Sequence, residues 1–190
     1  FVNLLFGLSK YKDSIEHLMH LAVHETSHKA YWQNQIGFAY YKMGDLDSGF
    51  CAFQAALHFE PENPVFRGNL GHVLCDVERF DEAIPHLEVA IEHYPEHFGL
   101  RHDLGYSLCA LGRFAEAIPH LESAVELDPQ NTDFRGNLGY ALSCERRFAE
   151  AIPHLEHAAK LEPDNPVFRG NLGYALNNEK RFAEAIPHLE

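Results

Sequence analysis

The chain has 190 residues, of which 15 are basic and 28 acidic, so its formal net charge is −13. An apolar content of 46% is enough for a packed core. The acidity argues against nucleic acid as a partner, because phosphate binding needs clustered Lys and Arg. The sequence has no apolar run long enough for a membrane span, and its four cysteines form no CxxC pair, which excludes a zinc ribbon.

The first predicted element is a helix from Tyr11 to Val23 that carries a stripe of histidines. His17, His20, His24 and His28 follow one another at intervals of three, four and four residues. Apolar side chains occupy the opposite face, so we expect the histidines to be solvated. Histidines at such spacing can chelate zinc or nickel, but a stable site needs further buried ligands. We therefore predict no metal and no cofactor, with a surface site at His17, His20 and His24 as the alternative.

The remainder of the chain is a repeat with a fixed period of 34 residues. The phrase Ala-Ile-Pro-His-Leu-Glu begins at Ala83, Ala117, Ala151 and Ala185. An Arg-Phe pair recurs with the same period, and 20 of 25 positions are identical between residues 132–156 and 166–190. A period without gaps predicts a stack of identical supersecondary units.

Each unit has the pattern of two helices. Phe66, Leu70 and Leu74 recur every four residues in the first helix, and proline ends the second. A glycine follows the central leucine, although glycine destabilises a helix interior by about 1 kcal/mol. Its recurrence indicates a close helix crossing where no side chain fits, at Gly37, Gly71, Gly105, Gly139 and Gly173.

Arginines recur in the first helices with the same period, at Arg67, Arg101, Arg135 and Arg169. We expect them to be structural, with stems that pack and head groups that reach acids such as Asp128 or Glu162.

Leu70-Gly71, Ala83, Leu87, Ala90 and Pro95, with their counterparts in each unit, resemble the tetratricopeptide repeat (TPR) family. The resemblance implies an all-α fold, a right-handed superhelical solenoid of antiparallel helix pairs. It predicts one continuous solenoid domain with a partial or divergent repeat at 1–29, full repeats at 30–63, 64–97, 98–131 and 132–165, and a shortened repeat at 166–190. Phe182, Ile186 and Leu189 would then lie at an open end, which predicts either a chain cut within a repeat or end-to-end contact with another copy.

TPR proteins generally bind protein segments in a concave groove lined by the first helices. Carried over position by position, the predicted groove residues are Tyr31, Gln35, Phe38, Tyr41, Asn69, His72, His102, Asp103, Tyr106, Asn137, Tyr140, Asn171 and Tyr174. The cationic clamp of chaperone-binding members is absent, since its first position holds Asn34, Gly68, His102, Gly136 and Gly170. The asparagines among these residues could form hydrogen bonds with the backbone of a bound peptide, or only with neighbouring groups of this chain. The tyrosines could anchor partner side chains or only pack between helices.

We therefore predict a non-enzymatic scaffold that binds a peptide segment of another protein, neutral or basic in view of the charge of −13. No nucleophile has a base at a suitable spacing, and there is no glycine-rich phosphate loop. Two alternatives remain, a substrate-docking arm of a larger enzyme such as a glycosyltransferase and a self-assembling structural solenoid. The unpaired cysteines are the basis for expecting a cytoplasmic location.

Overall fold

The fold was obtained as a computed structural model, which describes residues 11–189. It is 82% helical, and the described part contains no strand. A 3₁₀ turn at Thr26–His28 separates the first two of eleven α-helices within this part: α1 (Tyr11–His24), α2 (Lys29–Lys42), α3 (Leu46–Phe59), α4 (Pro64–Asp76), α5 (Phe80–His93), α6 (Phe98–Ala110), α7 (Phe114–Leu127), α8 (Thr132–Cys144), α9 (Phe148–Leu161), α10 (Pro166–Asn178) and α11 (Phe182–Leu189). None of the helices in residues 11–189 has the length and apolarity that crossing a membrane requires.

The helices form consecutive pairs, as the repeat predicts. We call α2, α4, α6, α8 and α10 the first helices, and α3, α5, α7, α9 and α11 the second helices; each first helix packs against the second helix that follows it. The chain divides into two compact units, one ending at Tyr94 and the other beginning at Pro95. In the unit ending at Tyr94, α1 packs on α2 and α3 on α4. In the other, α7 packs on α8 and α9 on α10. The predicted all-α class is therefore confirmed.

The close helix crossing predicted at the repeated glycine is also confirmed. A Cβ atom on Gly71 would lie 2.7 Å from Leu87 Cγ of the paired second helix. The same atom on Gly139 would lie 2.5 Å from Leu155 Cγ. Both leucines are completely buried. The glycine therefore sets the distance between the two helices of a pair.

A residue with left-handed backbone follows each first helix, two positions after the last helical residue. Five residues spaced by 34 have a positive φ of 59–79°, although only two of them are glycine: Gly44, Glu78, Gly112, Arg146 and Lys180. Arg147 N–H then bonds the Leu142 carbonyl at 2.8 Å, which is the hydrogen bond of a Schellman cap. This left-handed cap could not be predicted from the sequence, because Glu, Arg and Lys are not residue types that indicate one.

The repeated arginines fix the loops that precede the first helices. We expected their head groups to reach acids such as Asp128 or Glu162, and this expectation was wrong for Arg135. Its Nε donates to the Pro129 carbonyl at 2.7 Å, while Glu162 accepts from Thr132 and Asn165. Arg67 and Arg101 bond the equivalent carbonyls of Pro61 and Pro95. All three arginines bond this carbonyl because it lies on the loop directly beside them, and Arg67 Nη2 also donates to Glu62 Oε1 at 3.1 Å.

We predict that Gly139→Ala destabilises the chain. The new methyl group would overlap the Leu155 side chain and the Ala151 carbonyl, and overpacking outweighs the helix propensity of Ala, leaving a net loss of about 1–2 kcal/mol. Urea denaturation followed by circular dichroism measures the change. Gly170→Ala is the matched control, since a Cβ at Gly170 meets nothing within 4 Å. Equal stability of the two variants would contradict the close crossing.

We predict that Arg146→Gly stabilises the chain by about 0.5–1 kcal/mol, because glycine adopts a positive φ without steric strain. The reciprocal change, Gly112→Arg, should destabilise by a similar amount. Both residues are exposed and have φ values of 62° and 74°. The same denaturation experiment tests the pair. A loss of stability in Arg146→Gly would show that its side chain matters more than its backbone.

Candidate peptide-binding face

Three tyrosines occupy equivalent positions on α6, α8 and α10 of the unit that begins at Pro95. Tyr106 and Tyr140 are each 41% exposed, and Tyr174 is 54% exposed. We call the surface of α6, α8 and α10 that carries these three tyrosines the tyrosine face. Two of the rings are held by the preceding second helix, because Phe114 contacts Tyr140 and Phe148 contacts Tyr174, both edge-on at 5.8 Å between centroids. Tyr140 and Tyr174 therefore pack between repeats and also remain accessible.

The two phenylalanines that support the tyrosines were missed as site residues. They belong to the Arg-Phe pair that recurs with the repeat. The period alone showed that this pair has a constant role. It did not show that the ring reaches the next first helix, because that contact joins residues 26 positions apart.

Polar side chains link neighbouring first helices beside the tyrosines. The Asn137 amide pairs with His102 Nε2 at 2.8 Å, and His102 Nδ1 lies 3.5 Å from Asp103 Oδ1. The His102 ring also packs on Phe134 at 4.6 Å. The residue equivalent to His102 on α8 is Gly136, so Asn171 of α10 has no such side chain beside it. Asn137 is therefore used in a hydrogen bond between helices, whereas Asn171 has no equivalent bond to a histidine.

Two thiols and one phenol beside the tyrosines have pKa values above their ordinary values. Burial raises the pKa of the Cys109 thiol to about 12. A hydrogen bond with Cys144 raises the pKa of Tyr140, and burial raises that of Cys144. At neutral pH these three side chains are a neutral phenol and two neutral thiols. Such thiols are poor nucleophiles, because the thiolate is the reactive form.

The acids and arginines of α6, α8 and α10 differ in accessibility. Asp133 is exposed, the Asp103 side chain beside His102 is only 14% exposed, and the guanidiniums are hydrogen-bonded. The three helices carry Asp103 and Asp133 as their acids. Their three arginines donate to proline carbonyls: Arg101 to Pro95, Arg135 to Pro129 and Arg169 to Pro187. The arrangement does not offer a cation for an anionic partner.

In the unit ending at Tyr94, the predicted residues bond to one another. Tyr41 Oη lies 2.9 Å from His72 Nε2, and Asn69 Nδ2 donates to Asn34 Oδ1 at 2.8 Å. Tyr31 is exposed and contacts Trp32 edge-on. Three further side chains lie on α2 of this unit. Gln35 is half-buried, Phe38 is exposed, and Lys42 Nζ lies 5.3 Å above the Phe38 ring.

The histidine stripe is solvated, as expected. His17, His20 and His24 are exposed on α1, and the rings of His20 and His24 lie 4.3 Å apart. Within residues 11–189, no three His, Cys, Asp or Glu side chains are close enough together to hold a metal ion. One apolar residue of α1 does not lie on the buried face opposite the histidines. Met19 is 44% exposed.

The periodic histidines of the second helices lie against the arginines of the first helices. His154 Nδ1 is 3.3 Å from Arg135 Nη1. Nδ1 of His86 and of His120 is buried with no hydrogen-bond partner among the described residues. Burial, and then the charge of the neighbouring arginine, lowers the pKa of His86, His120 and His154. These side chains are structural and favour the neutral imidazole.

Two family models match the chain, both described as tetratricopeptide repeat, over residues 65–130 and 145–190. The chain belongs to the tetratricopeptide repeat family. Membership supports a protein-interaction or scaffold role, which agrees with exposed aromatic side chains on the first helices. No curated protein sequence matches the chain.

Solved structures of MamA share the fold. A structure of MamA MSR-1 has a TM-score of 0.70 and 27% identity, and the match covers 82% of this chain and 88% of that one. MamA AMB-1 gives a TM-score of 0.70 at 29% identity, with 80% of this chain and 88% of that chain covered. MamA from Desulfovibrio magneticus RS-1 has a TM-score of 0.74 at 19% identity, with coverages of 85% and 91%, and shows likeness of fold alone.

We predict that the TPR chain loses stability between about pH 6.5 and pH 5, because its buried histidines resist protonation. Their folded pKa values lie below the ordinary 6.5, so the unfolded chain binds protons first as the pH falls. The stabilisation is complete above about pH 6.5 and is lost as the pH falls through the folded pKa.

Urea denaturation at about pH 7.5 and pH 5 measures this loss. A variant with Gln at His86, His120 and His154 should lose much less stability over the same interval. The carboxyl groups with lowered pKa, such as Glu116 and Glu150, titrate below this window. An unchanged pH dependence in the variant would contradict the assignment to these three histidines.

Proposed function

We propose that this TPR chain is a non-enzymatic scaffold that binds a peptide segment of a partner protein on the tyrosine face. The observation that carries the proposal is the row of partly exposed tyrosines at one position of α6, α8 and α10. Aromatic side chains that are rigidly held and partly exposed are the residues that most often anchor protein interfaces. Phe114 and Phe148 provide that rigidity by packing against Tyr140 and Tyr174.

The partner segment that suits this face is neutral or basic. Asp133 of α8 is exposed, and the arginines of these helices are held by loop carbonyls. A lysine or arginine of the partner would meet a carboxylate, whereas an acidic tail would find no charge-assisted bond. The net charge of −13 favours the same kind of partner at long range.

Asn137 and Asn171 supply polar contacts of different kinds in this proposal. Asn137 uses its amide to hold His102 and therefore positions the neighbouring helix. Asn171 is the residue equivalent to Asn137, and the position equivalent to His102 is Gly136, which has no side chain with which to pair. Asn171 is half-buried, and its amide is the one we assign to the backbone of the bound segment.

The absence of enzymatic activity is part of the proposal. Cys109, with a pKa of about 12, is a protonated thiol at neutral pH. Tyr140 and Cys144 have their pKa values raised as well. A site meant for nucleophilic or general acid–base catalysis would shift such groups towards the working pH instead.

We expect Tyr140→Ala and Tyr174→Ala each to weaken partner binding about tenfold or more, since truncating an interface anchor costs at least about 1–2 kcal/mol. Proteins captured from a lysate by the wild-type chain are identified by mass spectrometry, and their affinity for each variant is then measured in purified form. Tyr94→Ala is the matched control, because Tyr94 is 42% exposed but lies in a loop after α5.

This measurement distinguishes binding to the tyrosine face from binding elsewhere on the chain. Loss of binding in the two face variants but not in Tyr94→Ala supports the tyrosine face, provided that circular dichroism shows all three to be folded. Equal retention of every captured protein by wild type and face variants would remove the basis of the proposal.

A further inference from the structure

The helix pair α2 and α3 lacks two side chains that the other pairs of the described chain share. The position held by arginine in α4, α6, α8 and α10 is Gln33 in α2. The position held by histidine in α5, α7, α9 and α11 is Ala52 in α3. A shorter amide and a methyl group thus stand where the other pairs have a guanidinium and an imidazole.

In the other pairs these two side chains lie side by side. Arg135 Nη1 is 3.3 Å from His154 Nδ1. The charge of Arg67 contributes to the lowered pKa of His86, after the larger effect of burial, and Nδ1 of His86 is buried. This position of a helix pair therefore accommodates a guanidinium beside an aromatic ring.

In the pair α2 and α3 the corresponding space is open. A cavity of about 400 Å³ lies here, lined by one residue of α1, three of α2 and four of α3. We call it the α1–α3 cavity, and its lining includes Met19, Gln33, Ile36, Tyr40, Asp47 and Ala52. Its volume is typical of cavities that bind organic ligands.

The lining of the α1–α3 cavity combines apolar walls with acceptor groups. Ile36 and Ala52 are buried, and Tyr40 is half-buried. Asp47 is exposed and is the one charged residue among the described residues that line the cavity. Within residues 11–189, neither the Asp47 carboxylate nor the Gln33 amide is hydrogen-bonded or ion-paired. Such a lining favours a ligand with an apolar stem and a cationic head.

We infer that the α1–α3 cavity binds an arginine side chain of a partner protein. The guanidinium of that arginine donates to the Asp47 carboxylate and the Gln33 amide oxygen, and its methylene stem packs on Met19 and Ile36. The net charge of −13 attracts a basic segment to the chain.

Arginine suits the cavity better than lysine does. Its planar head offers five donors in a fixed fork, which can serve the carboxylate and the amide oxygen together, whereas the lysine ammonium is a compact and strongly hydrated charge. The same guanidinium group occupies the equivalent position in α4 and α8, at Arg67 and Arg135. The partner arginine would therefore replace a group that the α2 and α3 pair lacks.

The cavity depends on a change of residue types within one pair, and not on where the stack of repeats stops. Phe182 and Ile186 at the end of the described chain are exposed, as expected, while the Leu189 side chain lies outside the described residues. The α1–α3 cavity is walled instead by three consecutive helices of the unit ending at Tyr94. It shares no residue with the tyrosine face, so the inference does not rest on the proposed peptide binding.

The probe is arginine with an acetylated amino group and a methylamide at its carboxyl end, which mimics an arginine within a polypeptide. Binding to the ¹⁵N-labelled 190-residue chain is followed by nuclear magnetic resonance, through the side-chain amide of Gln33 and the backbone amide of Ala52. We expect saturable shifts with a dissociation constant on the order of 1 mM, which is ordinary for so small a ligand. Citrulline capped in the same way is the neutral isostere and should bind about fivefold more weakly or worse.

Matched variants of the chain locate the binding. Asp47→Asn removes the charge and should weaken the capped arginine about fivefold or more. Asp81→Asn is the control, because Asp81 is the exposed equivalent of Asp47 on α5, where Arg67 and His86 are present. Gln33→Arg combined with Ala52→His restores the pair found in the other helix pairs. This double variant should fill the cavity and abolish binding.

Each outcome decides the proposal. Binding of the capped arginine that is weakened by Asp47→Asn, lost in the double variant and kept in Asp81→Asn supports the α1–α3 cavity. Absence of saturable shifts in the wild type overturns it, and so does equal weakening by Asp47→Asn and Asp81→Asn. Equal affinity for the capped citrulline overturns the assignment to a cation. Free arginine is the last arm, and tighter binding of free than of capped arginine would assign the cavity to a small molecule and overturn the assignment to a partner protein.

Discussion

The contact between a glycine of the first helix and a large apolar side chain of the second is the constraint on which the rest of this fold depends. It recurs in four helix pairs of the described chain, where Gly37, Gly71, Gly105 and Gly139 meet Phe53, Leu87, Leu121 and Leu155. The next residue on a helix lies about 100° further around its axis. Tyr106 and Tyr140 follow directly after such glycines and are turned away from the paired helix. The same contact therefore holds each pair together and presents the aromatic face.

The function proposed for the tyrosine face follows from the side chains that the packing of helix pairs leaves exposed. Stacking of pairs buries the alanine, isoleucine and leucine positions of the second helices and supports Tyr140 and Tyr174 through Phe114 and Phe148. What remains on α6, α8 and α10 is phenol, amide and carboxylate. These groups suit recognition of a neutral or basic protein segment, and the pKa values of Cys109 and Tyr140 are shifted away from neutral pH.

The sequence alone was sufficient to predict the helix pairs, their period and the glycine crossing, because each of these features repeats at constant spacing. Features that depend on a long side chain choosing among partners could not be predicted. Arg135 could have reached several acids, and only the structure shows its bond to the Pro129 carbonyl. The link between His102 and Asn137 joins residues 35 positions apart and depends on the distance between neighbouring repeats. The left-handed cap at Arg146 has a residue type that gives no signal for it.

The most direct test of the central claim is site-specific photocrosslinking. A benzoylphenylalanine placed at Tyr140 samples the tyrosine face, and one placed at Glu126, an exposed residue of α7, samples a second helix. The account predicts that position 140 crosslinks to a discrete partner protein through a neutral or basic segment, while position 126 does not. Crosslinks to the same proteins from both positions, or from position 126 alone, would contradict it.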